Sequence, residues 1–166
     1  MPCMDDDSVQ GLARLIRGQR VAALATLRGG APNVSLVSYL HAADFSSLWL
    51  RLSRLAWHTQ DLSRDARVSL AIAEPDDGRA DPQTLARVTL RGEAAPVAAG
   101  EREAERLKRA WLERFPDSAV TFELADFSFW RITLRDARFV AGLGRTFNLS
   151  ASDLTRAAVE VEMGPR

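Results

Sequence analysis

Residues 20–53 decide the fold, and they read RVAALATLRGGAPNVSLVSYLHAADFSSLWLRLS. Three segments in this stretch have strand character: 20–27 is apolar on both faces, and 33–40 and 47–53 alternate between apolar and polar positions. Two turn-like segments, rich in glycine, proline and aspartate, separate them. Loops of about five residues join antiparallel strands, since a parallel crossover needs a dozen residues or more. The stretch therefore predicts consecutive antiparallel hairpins.

The rest of the chain extends this pattern. Further strands are predicted at 67–73, 86–97, 127–134 and 137–141, and helices at 8–17, 55–64 and 101–115. Six or seven antiparallel strands with short flanking helices predict an α+β fold, mainly antiparallel β, built as a small barrel. The short loops argue against a doubly wound sheet. We expect one domain over residues 1–150 and a C-terminal tail over residues 151–166.

Composition narrows the classes of function. The 166 residues carry 22 basic and 22 acidic side chains, so the net charge is zero and no basic surface for nucleic acid is predicted. Cys3 is the only cysteine, which excludes a disulfide or a cysteine-based metal site. The apolar runs are too short for a membrane span, and the acidic start is unlike a signal peptide. We expect a soluble, cytoplasmic protein.

The side chains available for catalysis are few. Lys108 is the only lysine, and His41 and His58 are the only histidines, so a three-histidine metal site cannot be built. If the protein performs chemistry, a cofactor is expected to carry it.

A candidate phosphate site lies in residues 52–62, which read LSRLAWHTQDL. A strand ends at Ser53 and passes into a predicted helix whose first turns carry Arg54, His58 and Thr59. Helix N-termini, arginines and hydroxyl groups all suit phosphate binding. The alternative is that Ser53 only caps the helix and His58 is a surface residue, and the pattern alone leaves both open.

Several blocks of the sequence resemble a known family. They are ALATL (23–27) with PNVS (32–35), LRLSRLAWHT (50–59), DARVSL (65–70), ARVTLRG (86–92) and ARFVAGLGR (137–145). In this order they resemble the FMN-binding split-barrel superfamily of pyridoxamine 5′-phosphate oxidase-like proteins. The similarity is greatest to the branch of bacterial haem-utilisation proteins.

The resemblance implies a split β-barrel that binds FMN at the subunit interface of a homodimer and acts on a small-molecule substrate. It implies that the flavin ring lies along strand 33–39, that the ribityl chain passes the end of the next strand, and that the phosphate lies at the helix start. The implied cofactor-binding residues are Ser35, Val37, Leu52, Ser53, His58, Thr59 and Arg87, with Arg51 close to the phosphate. No catalytic residue and no metal ligand are implied. The two-faced apolar strand 20–27 also favours a homodimer.

Three features depart from the family pattern. Strand 33–39 lacks the arginine and lysine of the biosynthetic oxidases, and residues 160–166 lack their substrate-binding pattern. No histidine follows His58, although the haem-degrading relatives use one near the C-terminus. His41 is an alternative iron ligand, but its hairpin position favours a solvated turn residue. Two hypotheses remain: an FMN-dependent oxidoreductase, or a non-catalytic flavin- or haem-binding protein.

Overall fold

Within residues 4–162, the part of the chain that the computed structural model describes, the fold consists of seven strands and four α-helices. The strands are β1 (Val21–Arg28), β2 (Ala31–His41), β3 (Ser47–Ser53), β4 (Arg67–Ala73), β5 (Arg87–Pro96), β6 (Phe127–Val140) and β7 (Thr146–Ser150). The α-helices are α1 (Asp6–Gly18), α2 (Trp57–Leu62), α3 (Arg102–Arg114) and α4 (Ala151–Glu162). Two 3₁₀ segments cover Pro82–Thr84 and Pro116–Glu123.

The strands form one antiparallel sheet that closes on itself. Its order is β3-β2-β1-β4-β5-β6-β7, and β3 also pairs with β6 from end to end. Six strands therefore make a closed barrel, and β7 extends the sheet at β6. This architecture confirms the predicted α+β split-barrel fold with flanking helices.

The barrel opens between β2 and β3. β2 pairs with β1 from Ala31 to Ser38, but it pairs with β3 only over residues 39–41. Within the described chain, no strand covers the other edge of residues 31–38. Helix α2 packs against β1 and β2 near this opening. The opening exposes a strand edge beside a short helix.

Two glycines turn β1 into β2. Gly29 and Gly30 have φ angles of +59° and +83°, which glycine adopts without steric cost. They connect the register pair Arg28 and Ala31 in a two-residue hairpin, whose twist matches that of the flanking strands. The tight turn sets the register of the whole hairpin.

β6 is one strand where the sequence predicted two. The predicted strands 127–134 and 137–141 join because Arg135 is left unpaired opposite the bond between Arg91 and Gly92. Such a β-bulge shifts the alternation of inward and outward side chains by one residue. The broken alternation is what indicated a strand end.

The segment predicted as a C-terminal tail is ordered secondary structure as far as residue 162. Helix α4 packs against α1 and β6, and its residues Leu154, Ala157 and Ala158 are buried. The preceding strand β7 was not predicted: it has only five residues, although Phe147 and Leu149 alternate with exposed polar residues. Residues 163–166 lie outside the described residues.

The side chains form two hydrophobic cores. The larger core fills the barrel and continues under α1 and α4. The smaller core lies on the outer face of β3 and β6, beneath α3, and contains Leu40, Trp49, Val97, Leu107, Trp111, Phe115 and Phe129. Over the described residues, none of the helices has the length and hydropathy that a membrane span requires.

Candidate functional site

Ser53 ends β3 and connects it to the start of β6. Its Oγ donates a hydrogen bond to the Asp126 carboxylate at 2.5 Å and accepts one from the backbone N–H of Leu55 at 3.1 Å. The backbone N–H of Arg54 donates to the Asp126 carbonyl at 2.8 Å. Ser53 is therefore not the cap of a helix, the simpler of the two interpretations of the sequence. Its hydroxyl holds the chain between β3 and α2 in an extended turn.

Helix α2 is shorter than the helix predicted over residues 55–64. It runs only from Trp57 to Leu62, and its N-cap residue Ala56 makes no side-chain hydrogen bond. A single uncapped turn and a half adds little by its dipole. The site must therefore be built from side chains and not from the helix terminus.

His58 lies in the first turn of α2 and is half-buried. Burial lowers the pKa of its imidazole, and the negative charge of Asp61 opposes only part of that shift. In the ligand-free chain the ring is consequently neutral near pH 7. A neutral ring offers one donor and one acceptor nitrogen.

Thr59 carries the most informative atom of the site. Its side chain is 4% exposed, and its Oγ1 has no hydrogen-bond partner within residues 4–162. A buried polar atom left without a partner costs ~1–3 kcal/mol, so such atoms call for an explanation. A hydroxyl donor that follows His58 on the helix after Ser53 is chemically suited to a phosphate oxygen. The residues present thus fit the phosphate group that the family resemblance implies.

Asp61, also on α2, belongs to a buried cluster that sequence reasoning missed. Its carboxylate is 1% exposed and accepts hydrogen bonds from Thr26 Oγ1 at 2.9 Å, Asn33 Nδ2 at 3.0 Å and Arg28 Nη1 at 2.9 Å. Burial opposes its ionisation, but these donors together keep the pKa of Asp61 below its ordinary value. The carboxylate is therefore ionised at neutral pH and connects α2 to both strands of the β1–β2 hairpin.

Arg51 makes contacts within its own chain. Its guanidinium donates to the Thr121 hydroxyl at 2.5 Å and to the Thr121 carbonyl at 2.7 Å. It also lies 3.7 Å from the ring centre of Phe122 and 4.8 Å from that of Phe127. These contacts hold the 3₁₀ segment Pro116–Glu123 against β3. A phosphate role for Arg51 would require it to leave these partners.

Strands β2 and β3 flank the opening, and three side chains there that were expected to contact the cofactor point into the barrel. Val37 and Leu52 are 7% and 3% exposed and belong to the barrel core, so only their backbone groups are available to a cofactor. Ser35 is half-buried and pairs with Leu24, and directly paired residues share a face. Its side chain therefore points toward the barrel interior.

Large apolar side chains are exposed both on the outer face of the β1–β2 hairpin and, separately, at the start of α2. Val34 and Leu36 of β2 are 65% and 73% exposed, and Leu55 and Trp57 are similarly accessible. The guanidinium of Arg28 lies 4.3 Å from the Trp57 ring centre. A flat ring on the outside of β2 would contact Val34 and Leu36 and not Ser35 and Val37.

Arg87 lies away from the other predicted site residues. It is exposed at the start of β5, where it donates to two backbone carbonyls of residues 83 and 85 at 2.8 and 3.1 Å. It pairs with Ala73, the last residue of β4, at the end of the sheet where β1 begins. Asp61 on α2 contacts Arg28, at the other end of β1. A single chain therefore does not bring Arg87 and His58 together.

His41 is not a solvated turn residue. It ends β2, is half-buried, and places its Nδ1 3.0 Å from the Ala42 carbonyl and its ring edge against Phe45. Burial, together with the charges of Arg114 and Arg17, lowers its pKa. Its packing suits a structural role at the end of the strand.

Comparisons with known proteins agree with this fold. Residues 9–141 match the profile of the family described as Pyridoxamine 5′-phosphate oxidase. The chain is 36% identical over 119 residues to the chloroplastic non-canonical heme oxygenase HOZ of Arabidopsis thaliana, a match covering 71% of this chain and 34% of that protein. The chain thus spans only about a third of the length of that relative.

Solved structures of other proteins have the same fold as this chain. A heme binding protein from Mycobacterium smegmatis has a TM-score of 0.80 and 27% identity, with 93% of this chain and 62% of that chain covered. HutZ, the heme storage protein of Vibrio cholerae, has a TM-score of 0.68 at 19% identity, with 84% and 93% covered, and shares the fold. Because the family profile covers most of the sequence and the split barrel is present, this chain belongs to the pyridoxamine 5′-phosphate oxidase family.

Proposed function

We propose that this chain binds FMN beside the opening of the barrel and works as an FMN-dependent oxidoreductase on a small molecule. The phosphate would lie at the junction of β3 and α2, and the flavin ring along the uncovered edge of β2. The observation that carries the proposal is the buried hydroxyl of Thr59, which follows His58 on α2 and has no hydrogen-bond partner within residues 4–162. Membership of the family supports it, because the resemblance implies a flavin at this junction.

Each residue of the junction has a distinct task in this proposal. The Thr59 hydroxyl donates to a phosphate oxygen and so gains its missing partner. His58 takes up a proton as the dianion binds and then donates a charge-assisted hydrogen bond. Ser53 keeps the junction extended through Asp126, which leaves the exposed Arg54 free to approach the phosphate. When bound, FMN supplies the electron-transfer chemistry that these side chains lack.

A second copy of the chain is part of the proposal. Val34 and Leu36 are exposed on the outer face of β2, and the same face of β1 carries Val21, Ala23 and Ala25. A continuous apolar surface of this kind is typical of an interface. A homodimer through this face would also explain Arg87, because an arginine distant from its own junction would reach a flavin held by the partner copy.

The dimer has its own test. Leu36→Glu would place a charge in the proposed interface, and sedimentation at micromolar concentration should show a dimer for the parent and an 18.3 kDa species for the variant. Val120→Glu is a matched control, because Val120 is similarly exposed but lies in the 3₁₀ segment Pro116–Glu123. A monomeric parent would refute the assembly.

FMN binding is tested by fluorescence titration. The parent should bind FMN at one per subunit and clearly more tightly than riboflavin, because only FMN has the phosphate. Thr59→Val keeps the shape but removes the hydroxyl, and it should weaken FMN binding by roughly fivefold to tenfold. Thr133→Val, at an exposed position of β6, is the control and should bind like the parent. Equal affinity of the parent for FMN and riboflavin would refute the phosphate site.

The oxidoreductase part needs a separate measurement. The loaded protein is photoreduced without oxygen and mixed in a stopped-flow instrument with candidate electron acceptors. Reoxidation by an acceptor faster than that of free FMN supports an enzyme. A bound flavin that reacts no faster than free FMN would indicate a non-catalytic binding protein.

Haem is a second candidate ligand, and two observations favour it. The heme oxygenase HOZ and the mycobacterial heme binding protein are relatives by sequence and by structure. His58 is neutral in the free chain and lies next to exposed Leu55 and Trp57, and a neutral imidazole beside apolar side chains suits an iron porphyrin. Titration with hemin should then give a Soret band that His58→Ala shifts and His41→Ala leaves unchanged.

A further inference from the structure

The carboxylate of Asp61 is the structural link between the two halves of the proposed site. α2 carries His58 and Thr59 on the phosphate side, and β2 carries the uncovered edge on the ring side. The Asp61 oxygens are shared between these elements: Oδ2 accepts from Thr26 and Asn33, and Oδ1 accepts from Arg28.

Helix α2 has one apolar anchor, Leu62, which is buried in the barrel core, and Asp61 adds a polar one. It has six residues and no side-chain cap, and so short a helix is not stable by itself. On the hairpin side, the donors come from both strands and are in register, since Thr26 pairs directly with Asn33. Arg28 adds a second contact by stacking on Trp57, the first residue of α2. The carboxylate is therefore the group through which α2 is hydrogen-bonded to both strands of the hairpin.

We infer that Asp61 is a positioning residue that sets the distance between the phosphate-binding side chains of α2 and the ring-binding edge of β2, and so makes the site selective for a phosphorylated flavin. This inference rests on the proposed FMN site. Asp61 is 1% exposed and its oxygens are occupied by chain donors, so it acts through α2 and does not touch the ligand. Nothing in the sequence motifs of residues 52–62 required this carboxylate.

The substitution Asp61→Asn tests the inference with almost no change of volume. It removes the negative charge to which Thr26, Arg28 and Asn33 donate. It also replaces one carboxylate oxygen with an NH₂ group, which then faces one of these donors instead of accepting from it. We expect affinity for FMN to fall by roughly tenfold or more, and affinity for riboflavin to change by less than about twofold. Removing a negative charge would by itself favour an anion, so a loss of FMN affinity reports geometry and not charge. Titrations at about pH 8 and above lie well above the ordinary pKa of histidine, so that protonation of His58 contributes least to the difference between the two proteins.

A rescue and a control accompany this variant. Asn33→Asp combined with Asp61→Asn exchanges donor and acceptor across the same contact and should restore most of the preference for FMN. Asp65→Asn removes a carboxylate that lies just after α2 and pairs with exposed Arg67, and it should bind FMN like the parent. If Asp61→Asn does not fold, Thr26→Val removes a single donor from the same carboxylate and should still reduce FMN affinity several-fold.

The outcomes separate this inference from the proposed function. If the parent does not prefer FMN over riboflavin, the proposed function fails and the inference with it. If the parent prefers FMN but folded Asp61→Asn binds FMN equally well, or loses both ligands by the same factor, only the positioning role is refuted. The same holds if Thr26→Val, used in its place, leaves FMN affinity unchanged.

Discussion

Replacing His58 with alanine should weaken FMN binding most at low pH and remove most of the pH dependence of binding. In the free chain, burial lowers the pKa of His58 below 6.5, with Asp61 opposing part of the shift. A bound phosphate dianion favours the protonated ring and raises its pKa in the complex. Affinity from such a group is fully present below the pKa of the free protein and is lost as pH rises through the pKa of the complex. The contribution of His58 therefore declines across a window that includes pH 6.5.

The magnitude follows from the type of hydrogen bond. A hydrogen bond to a charged partner contributes ~1.5–3 kcal/mol, which corresponds to roughly 10–150-fold in Kd. Above the pKa of the complex the neutral ring still donates to the phosphate dianion but without a charge of its own, so its contribution falls to the lower end of this range, about 1.5 kcal/mol or roughly tenfold. The ratio of the two Kd values, variant over parent, should thus fall steadily as pH rises.

The assay is a flavin-fluorescence titration of both proteins from about pH 5.5 to 8.5. The phosphate of free FMN titrates at about pH 6, and this titration cancels in the ratio because the free ligand is the same for both proteins. His41→Ala is the matched control, because His41 is the only other histidine and ends β2. A His58→Ala variant that binds within about twofold of the parent at every pH would refute the phosphate role of this residue.

Two further predictions concern the fold that holds the site. Gly92→Ala should lower the free energy of unfolding by at least about 1–3 kcal/mol in urea denaturation, because a Cβ there would lie 2.1 Å from the Thr133 carbonyl oxygen. Gly18→Ala is the control and should not lower it, because the space around Gly18 is open. Tyr39→Phe should lower the free energy of unfolding by about 1–2 kcal/mol in the same measurement, because the buried hydroxyl donates to the Ile16 carbonyl at 2.7 Å. Burial raises the pKa of Tyr39 despite the opposing charge of Arg114. The loss should therefore be equal at neutral and mildly alkaline pH.

The fold was predictable to the extent that alternation and turn residues specify it. The hairpins of residues 20–53 have short loops and a clear alternation, and the structure has strands β1, β2 and β3 there. The errors occur where a local pattern is interrupted, or is too short without its tertiary partner. The bulge at Arg135 breaks the alternation of β6, and β7 alternates over only five residues and is a strand through its pairing with β6. Helix α4 packs against α1, which is far away in sequence, so the sequence around α4 gave no sign of this contact.

The site was predictable only in part for the same reason. The motif of residues 52–62 led to Ser53, His58 and Thr59, which lie on adjacent segments. The Asp61 cluster was missed because its donors are 28 to 35 residues distant in sequence and lie on another hairpin. A buried aspartate on a short helix is visible only once the hairpin register is known. Alternation alone gave no indication of how Arg51 is engaged by Thr121.

The pH dependence of binding also separates the two candidate ligands. An iron atom binds the deprotonated imidazole, so a proton competes with haem for His58, whereas a phosphate dianion recruits that proton. If His58 contacts either ligand, the contribution of its ring to hemin binding should rise with pH, and its contribution to FMN binding should fall. Burial lowers the pKa of free His58, so its ring is already deprotonated before neutral pH is reached. The contribution of His58 to hemin affinity should therefore stop rising with pH before pH reaches about 7. Titrating the parent and His58→Ala with each ligand over the same pH series measures both slopes. The two Kd ratios, His58→Ala over parent, should change in opposite directions as pH rises. If they change in the same direction for hemin and FMN, the ring is not both an iron ligand for haem and a protonated donor to the FMN phosphate.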